Sequence, residues 1–309
     1  MHRALLAAVL TLAVAAGCGA RASVNGFTDG KLNVVTAFYP LQFLSERIGG
    51  DVVSVTNLTK PGAEPHDVEL NPRQVADVAD AGLAVHLSGF QPAVDTAVKQ
   101  EAKGRSFDAA SAVQLLPLAD GDGHAEDAGH AEEHAEGSMD PHVWLDPVRF
   151  ETIAGKLGEA LAGKDPAHAE AYRTRAKELQ TQLRELNLEY AKSLATCQRR
   201  ELVTSHSAFN YLATRYGLTQ VGITGISPEA EPSPQRLAAV AEQARQTGTT
   251  TIFFETLVSP KVAETIAREV GAQTAVLDPL EGLTDAQSDY FTVMRANLAA
   301  LTTALGCTT

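Results

Sequence analysis

Cysteine, tryptophan and basic residues are scarce in this chain. Its 309 residues include three cysteines and one tryptophan, and 25 lysines and arginines stand against 38 aspartates and glutamates, which gives a formal net charge of −13. This shortage of positive charge argues against nucleic-acid binding, because phosphate contacts depend on Lys and Arg. After residue 18, no apolar run is long enough to cross a bilayer. Apolar residues still make up 44% of the chain, so length and composition predict about two globular domains.

The first 18 residues have the pattern of an export signal. A basic residue precedes a short apolar run, and small residues then lead to Cys18. The run is too short to span a membrane, so we predict an export signal over residues 1–18 that ends at a lipidated Cys18, followed by a flexible tether over residues 19–30. Because Ala15 stands where a lipobox usually has a larger apolar residue, a plain secretory signal is the alternative.

Cys197 and Cys307 are the two remaining thiols. Outside the cytoplasm such a pair tends to oxidise, and we expect a disulfide between them. The bridge would close a long loop, which the chain-entropy model values at up to about 4–5 kcal/mol of stability. Two free buried thiols are the alternative.

Segments with strand and helix patterns alternate from Lys31 onward. Short β-branched runs predict strands at residues 32–38, 52–58 and 83–87, with helices between and after them, and the same alternation resumes after Cys197. This pattern predicts an α/β fold of two lobes, each with a parallel four-stranded sheet flanked by helices.

One long helical pattern separates the two lobes. It opens at Asp165 and Pro166 and continues to about Leu194 without a further glycine or proline. We interpret it as a rigid strut between the lobes, with a coiled-coil arm as the alternative. The predicted boundaries are an N-terminal lobe at 31–163, a linker helix at 164–196 and a C-terminal lobe at 197–309.

An acidic segment over residues 119–138 interrupts the N-terminal lobe. It has no apolar periodicity and is dominated by Gly, Ala, Asp, Glu and His, so we predict a loop. Its histidines are His124, His130 and His134. Because carboxylates are interleaved with them, we expect a low-affinity metal site there; a solvated acidic loop that binds nothing is the alternative.

Three histidines and one aspartate lie in separate short motifs that are far apart in the chain. They are His66 in E-P-H-D-V-E-L-N-P, His142 in D-P-H-V-W-L-D-P, His206 in T-S-H-S-A-F-N-Y-L and Asp278 in V-L-D-P-L. Several of them follow predicted strands, and the carboxyl ends of parallel strands form a common binding crevice. Three imidazoles and a carboxylate suit zinc, so we expect a site between the lobes. Taken singly, each has a structural alternative, such as a hydrogen-bonding histidine or a turn-capping aspartate.

These motifs resemble those of the zinc/manganese substrate-binding proteins of ABC importers, the ZnuA/TroA type. The resemblance covers essentially the whole chain after the signal. Further matching stretches are G-I-S-P-E-A-E-P-S-P from Gly225, F-F-E-T-L-V-S-P-K-V-A-E from Phe253 and L-D-P-L-E-G-L from Leu277. The resemblance implies two α/β lobes joined by a long helix, an acidic His-rich loop of the kind many zinc members carry, and a membrane permease with a cytoplasmic ATPase as partners. It also implies metal binding by the residues that match the family's ligands: His66, His142, His206 and Asp278.

The ligand types indicate which metal is bound. In the manganese branch the position matching His206 is usually glutamate, so the resemblance and the preference of zinc for imidazole both favour Zn²⁺. Glu255, in F-F-E, has two alternative roles: it bonds to a ligand imidazole, or it replaces Asp278 as the fourth ligand. Glu64 is a weaker alternative of the same kind.

We therefore expect a monomeric, non-enzymatic zinc receptor that delivers Zn²⁺ to an ABC-type importer. It would lie outside the cytoplasm, anchored to the membrane through lipid on Cys18, or in the periplasm. The alternatives are a manganese receptor of the same family, an adhesin-type surface lipoprotein with a structural metal, and a zinc hydrolase. The last is disfavoured because the chain has no H-E-x-x-H motif and no nucleophile elbow.

Overall fold

The computed structural model describes residues 26–118, 139–283, 285 and 287–308. The N-terminal sheet contains β1 Phe27–Thr28, β2 Lys31–Thr36, β3 Val53–Asn57, β4 Leu83–His86 and β5 Ser106–Asp108. Strands β2 to β5 form the predicted parallel four-stranded sheet, in the order β3-β2-β4-β5, and β1 adds an antiparallel pair with β2. Because β1 lies inside the predicted tether, the ordered sheet begins before Lys31.

Three helices flank this sheet, and each has proline in its first turn. They are α1 Tyr39–Gly49, α2 Pro72–Asp80 and α3 Pro92–Glu101. Proline is favourable there because its missing N–H would have no partner inside the helix. Helix α2 also has a capping box, in which the Asn71 side chain accepts from the Gln74 N–H and the Gln74 side chain accepts from the Asn71 N–H.

The long linker helix packs against the helix that precedes it. Helix α4 Pro147–Lys164 ends at Asp165, a short 3₁₀ turn follows at Pro166–His168, and α5 Ala169–Ser193 continues for 25 residues. At 1.5 Å per residue, α5 is roughly 37 Å long. The helix packs along α4 and α1, so it is not a free-standing arm. Its buried residues recur every three or four positions: Tyr172, Ala176, Leu179, Leu183, Leu186 and Tyr190.

The C-terminal lobe has the same architecture. Its strands, all parallel in the order β7-β6-β8-β9, are β6 Glu201–Thr204, β7 Thr219–Gly222, β8 Thr251–Phe254 and β9 Gln273–Val276. The helices around them are α6 Asn210–Tyr216, α7 Pro234–Gln246, α8 Lys261–Val270 and α9 Tyr290–Leu305. The predicted fold class, α/β with two helix-flanked parallel sheets and a long helix between them, is confirmed.

The two lobes share a buried interface. One apolar core contains side chains from both lobes, and a second, smaller core lies inside the C-terminal lobe between its sheet and α7 and α8. The Trp144 indole N–H donates to the Pro279 carbonyl, and the Tyr290 hydroxyl donates to the Trp144 carbonyl. Across the same interface, the Arg215 guanidinium pairs with the fully buried Asp146 carboxylate. The lobes are therefore joined by far more than the linker.

Cys197 and Cys307 form a disulfide between positions 110 residues apart. The bridge connects the segment after α5 to the end of α9. Isolated β-bridge pairing at the same two residues brings the backbones together as well. The last helix is thus tied to the start of its lobe.

No helix within the described ranges is both long and apolar enough to cross a membrane. The predicted export signal with Cys18, most of the predicted tether, and the acidic loop with His124, His130 and His134 lie outside the described residues.

Candidate metal centre

Four side chains meet where the carboxyl ends of both sheets face each other. His66 lies in the loop after β3, His142 directly precedes the short 3₁₀ turn that leads into α4, His206 follows β6 and Glu281 follows β9. Loops at the carboxyl ends of parallel strands commonly form the binding crevice of such sheets. Side chains that are far apart in the sequence are therefore brought together at one site.

The cluster is centred on one carboxylate oxygen. Oε1 of Glu281 lies 3.1 Å from Nε2 of His66, 3.1 Å from Nε2 of His142 and 3.3 Å from Nε2 of His206. All four ligand atoms lie within 4.8 Å of one another. Glu281, His142 and His206 are at most 1% exposed, while His66 keeps 9% of its surface. Any access from solvent to the cluster is therefore on the side of His66.

Asp278 lies outside this group, so the geometry differs from the ligand set expected from sequence. Its Oδ1 accepts the Leu280 N–H at 2.8 Å, and its Oδ2 accepts the Thr256 hydroxyl at 3.1 Å. The short aspartate side chain thus closes a turn on its own backbone, which is the common behaviour of Asx residues. Glu281, three residues later in the same L-D-P-L-E-G-L motif, takes the place expected for Asp278. The motif itself does not distinguish the two carboxylates, because both lie in the same short loop after β9.

Two of the three histidines are oriented by a buried carboxylate. Nδ1 of His142 lies 2.8 Å from Oδ1 of Asp140, and Nδ1 of His206 lies 2.7 Å from Oε1 of Glu255. A carboxylate at Nδ1 holds the proton there and leaves the Nε2 lone pair for a metal. Glu255 thus contacts an imidazole and is not among the four clustered residues. Asp140 was missed from sequence, although it opens the D-P-H motif.

His66 is held differently. Glu64 accepts the backbone N–H of His66 through both carboxylate oxygens, at 2.9 and 3.1 Å, and does not enter the cluster. The imidazole packs edge-on against the Phe90 ring, with the centroids 4.7 Å apart. Among the described residues, no carboxylate hydrogen-bonds to Nδ1 of His66. Of the three histidines, His66 is therefore the least constrained and the most exposed.

The electrostatics of the cluster favour protonated His142 and His206 beside an ionised Glu281. Burial by itself would raise the pKa of Glu281, but the charge of His206 and hydrogen bonds from the three histidines hold that pKa well below its usual range. Burial opposes a charge on His206, yet Glu281 and Glu255 together raise the pKa of that imidazole to about 10. The pKa of His142 is also raised against the effect of burial by its carboxylate hydrogen bonds, whereas burial lowers the pKa of His66.

The donor set fits a divalent cation with a preference for nitrogen. Three imidazole nitrogens and one carboxylate oxygen make a four-coordinate site of the kind zinc favours. Oε2 of Glu281 is buried and has no hydrogen-bond partner among the described residues. A buried acceptor without a donor is costly in a neutral cavity, and a cation at the cluster would compensate it.

Two parallel α/β lobes, a long helix between them and a buried cluster of three histidines and one carboxylate define the class of metal-binding receptor proteins. The family model described as ZnuA, zinc-uptake complex component A, periplasmic, matches residues 34–304. This chain therefore belongs to the ZnuA family, and the resemblance stated from its motifs is confirmed.

Curated relatives and solved structures agree with this assignment. The chain is 36% identical over 305 residues to the high-affinity zinc uptake system protein ZnuA of Bacillus subtilis, covering 93% of this chain and 92% of that protein. It is 38% identical over 282 residues to the zinc-binding lipoprotein AdcA of Streptococcus pneumoniae, covering 88% of this chain but only 56% of that protein. The chain thus spans little more than half the length of the streptococcal AdcA relatives it matches.

Among solved structures, the chain is similar to the Zn(II)-bound ZnuA-like domain of Streptococcus pneumoniae AdcA. The TM-score is 0.75 at 35% identity, covering 89% of this chain and 99% of that chain. It is also similar to the laminin-binding protein Lmb of Streptococcus agalactiae, described as bifunctional with adhesin and metal-transporting activity. That match has a TM-score of 0.78 at 32% identity and covers 88% of this chain and 99% of the other.

Proposed function

We propose that this protein is a zinc receptor that binds one Zn²⁺ between its lobes. The observation that carries the proposal is the convergence of three Nε2 atoms on one carboxylate oxygen in a buried site. The ligands in this proposal are His66, His142, His206 and Glu281, with Glu281 in place of Asp278. Asp140 and Glu255 orient two of the imidazoles and do not touch the ion.

The choice of zinc over manganese follows from the donor atoms. Manganese favours sites with more oxygen ligands, whereas three imidazoles suit zinc. Four protein ligands also complete a tetrahedral shell, which leaves no coordination position for a catalytic water. We therefore propose capture of the ion without catalysis.

Captured zinc would be passed to an importer in the membrane. The family is described as component A of a zinc-uptake complex, and one relative is named a zinc uptake system protein. Both support a receptor that works with the permease and ATPase of an ABC importer. The name zinc-binding lipoprotein for another relative supports an extracytoplasmic position with an anchor on Cys18. In this proposal the N-terminal lobe (31–163) and C-terminal lobe (197–309) act as one receptor around the linker helix (164–196).

Metal titration of the purified, metal-stripped protein tests the proposal. We expect one tightly bound Zn²⁺ per chain, and Mn²⁺ binding that is weaker in the same competition assay. Alanine at each of the four proposed ligand positions should lower zinc affinity sharply. His86→Ala is the matched control for His66→Ala, because His86 is as buried as His66 but bonds to Asp95 outside the cluster. Tighter binding of manganese than of zinc, or wild-type zinc affinity in Glu281→Ala, would contradict the assignment.

A further inference from the structure

The residue before Glu281 has a backbone conformation that is unusual for its type. Leu280 has a φ of 60°, in the left-handed region, and its side chain is fully buried. Of the described non-glycine residues only one other, Asp29, has a positive φ. A side chain with a β-carbon disfavours this region, and such a conformation persists only where the surroundings enforce it. Something close to Leu280 must therefore hold the turn.

The side chain of Asn297, in the middle of α9, holds the residue at which that turn starts. Its Oδ1 accepts the Asp278 N–H at 2.9 Å, and its Nδ2 donates to the Asp278 carbonyl at 2.7 Å. Asn297 is only 2% exposed. A primary amide is the group that can accept and donate at once in this way, whereas an aspartate or leucine of similar size cannot do both.

The remaining polar groups of the turn are fixed as well. The Leu280 N–H donates to the Asp278 carboxylate, and the Pro279 carbonyl accepts the indole N–H of Trp144. Pro279 has no N–H and a nearly fixed φ. Every backbone donor and acceptor from the Asp278 N–H to the Leu280 N–H thus has a specific partner. These bonds fix the conformation of the turn and therefore the direction in which the chain continues to Glu281.

We infer that Asn297 is a positioning residue for the metal site, because it clamps Asp278, holds Leu280 at positive φ and so directs the Glu281 carboxylate at the three imidazoles. This inference rests on the proposed function, in which Glu281 is a zinc ligand. The Asn297 side chain is not a member of the cluster, and both of its hydrogen bonds go to the backbone of Asp278. Asn297 lies on α9, which supplies no member of the cluster. In this inference, α9 supports the site through the turn at Asp278 without contacting the metal.

A double-mutant cycle between Asn297 and Glu281 tests this role. We expect Asn297→Ala to weaken zinc binding about 10- to 100-fold, the usual effect of losing a partner that orients a ligand. If Asn297 acts through Glu281, the double variant with Glu281→Ala should bind zinc as weakly as Glu281→Ala alone, within about threefold. Dissociation constants from competition with a chromophoric chelator measure this. Additive losses, or wild-type affinity in Asn297→Ala, would overturn the inference.

Met294→Ala is the control for general damage to α9. Met294 is fully buried on the same helix, and the two hydrogen bonds of the clamp join Asn297 to Asp278 without it. We expect this variant to lower thermal stability while leaving zinc affinity close to wild type. A loss of zinc affinity in Met294→Ala equal to that in Asn297→Ala would count against a specific clamp.

A second variant keeps the test decisive if Asn297→Ala does not fold. Asn297→Leu preserves the approximate size of the side chain and adds no buried charge, but it removes both the acceptor for the Asp278 N–H and the donor to the Asp278 carbonyl. We expect it to fold and to weaken zinc binding only when Glu281 is present. A different result, in which Glu281→Ala itself has no effect, would refute the proposed ligand set and leave the clamp geometry as a purely structural feature.

Discussion

The Glu281 carboxylate is the atom group on which the chemistry of the site depends. It is buried, bonded to three imidazoles, and held ionised by them. A buried carboxylate is costly unless positive charge faces it, and here the charge is supplied by protons on imidazole or by a divalent ion. Protons and metal therefore compete for the same nitrogen atoms.

Zinc binding should release protons near neutral pH. The His206 imidazole, with its pKa raised to about 10, is protonated in the metal-free protein, the pKa of His142 is raised too, and that of His66 is lowered. Because only neutral imidazole binds metal, we expect release of about one to two protons at pH 7 and a zinc affinity that rises with pH. Calorimetry in buffers of different ionisation enthalpy measures the number. Binding without proton release would contradict the raised pKa of His206, because an imidazole that is already neutral binds metal without losing a proton.

Substitutions at Asp278 separate its two interpretations. If Asp278 only closes the turn before Glu281, asparagine should serve nearly as well, because its Oδ1 still accepts the Leu280 N–H. Alanine at 278 removes that bond and should weaken zinc binding by about tenfold or more. Zinc titration gives the affinities of Asp278→Asn and Asp278→Ala, and Glu281→Gln serves as the reference for loss of a ligand carboxylate. An equal, large loss for Asp278→Asn and Asp278→Ala would restore Asp278 as a ligand.

The sequence predicted which histidines belong to the cluster, but not which carboxylate joins them. The motifs placed His66, His142 and His206 in the region where the structure brings them together. Whether Asp278 or Glu281 faces the histidines depends on the direction in which the chain leaves the turn at residues 278–280. That direction is set by Asn297, which is nearly twenty residues later and carries no motif. Local sequence contains no information about such a contact.

At the scale of elements, the bounds of the long helix were predicted from the sequence, whereas two short strands were not. Its start at the Asp165–Pro166 pair and its end near Leu194 agree with α5 and the turn before it. The absence of glycine and proline made this possible. The short strands β1 and β5 were not predicted as strands, because two or three residues show no periodicity and gain their strand geometry from pairing with a neighbour.

Two leucines on α5 test how the helix is held. Leu186 is fully buried, while Leu188, two positions later, is 66% exposed. We expect Leu186→Ala to lower the free energy of unfolding by about 2–5 kcal/mol, since it leaves a cavity in the shared core. The matched Leu188→Ala variant should change it by less than about 0.5 kcal/mol. Urea unfolding of the metal-free protein measures both. Equal effects would show that α5 stands apart from the core.

At the scale of the whole molecule, the interface between the lobes opposes a wide hinge motion. A core common to both lobes and the bonds of Arg215 to the buried Asp146 carboxylate would have to break for the lobes to separate. Exposing the apolar surface of a shared core to water is strongly unfavourable. Release of the ion should therefore depend on a local change, and His66, the most exposed ligand, is the place where a local change is easiest.

Small-angle scattering checks this expectation directly. We expect the radius of gyration of the full chain to be the same, within error, with and without bound zinc. The reason is that no large interface needs to form or break when the ion enters. A clear decrease on zinc binding would indicate closure of the lobes and would contradict the expectation.

Removal of the acidic loop tests whether the central site is independent of it. The loop leaves and re-enters where Pro117 pairs with Met139 and the Asp140 N–H donates to the Leu116 carbonyl. Because these ends are already adjacent, deletion of residues 119–137 should preserve the fold. We expect the tight zinc site to keep its affinity and any weaker additional zinc to be lost, as measured by titration. Loss of the tight site would place the loop histidines among its ligands.

Trp144 gives the molecule an internal optical reporter. It is the only tryptophan in the chain, its ring centroid lies 5.2 Å from that of His142, and its indole bonds to the turn that leads to Glu281. An indole in such a place changes its emission when the charge beside it changes. If zinc binds there as proposed, we expect its entry and exit to change the protein's own fluorescence, which would follow them in real time with no dye attached and no residue replaced.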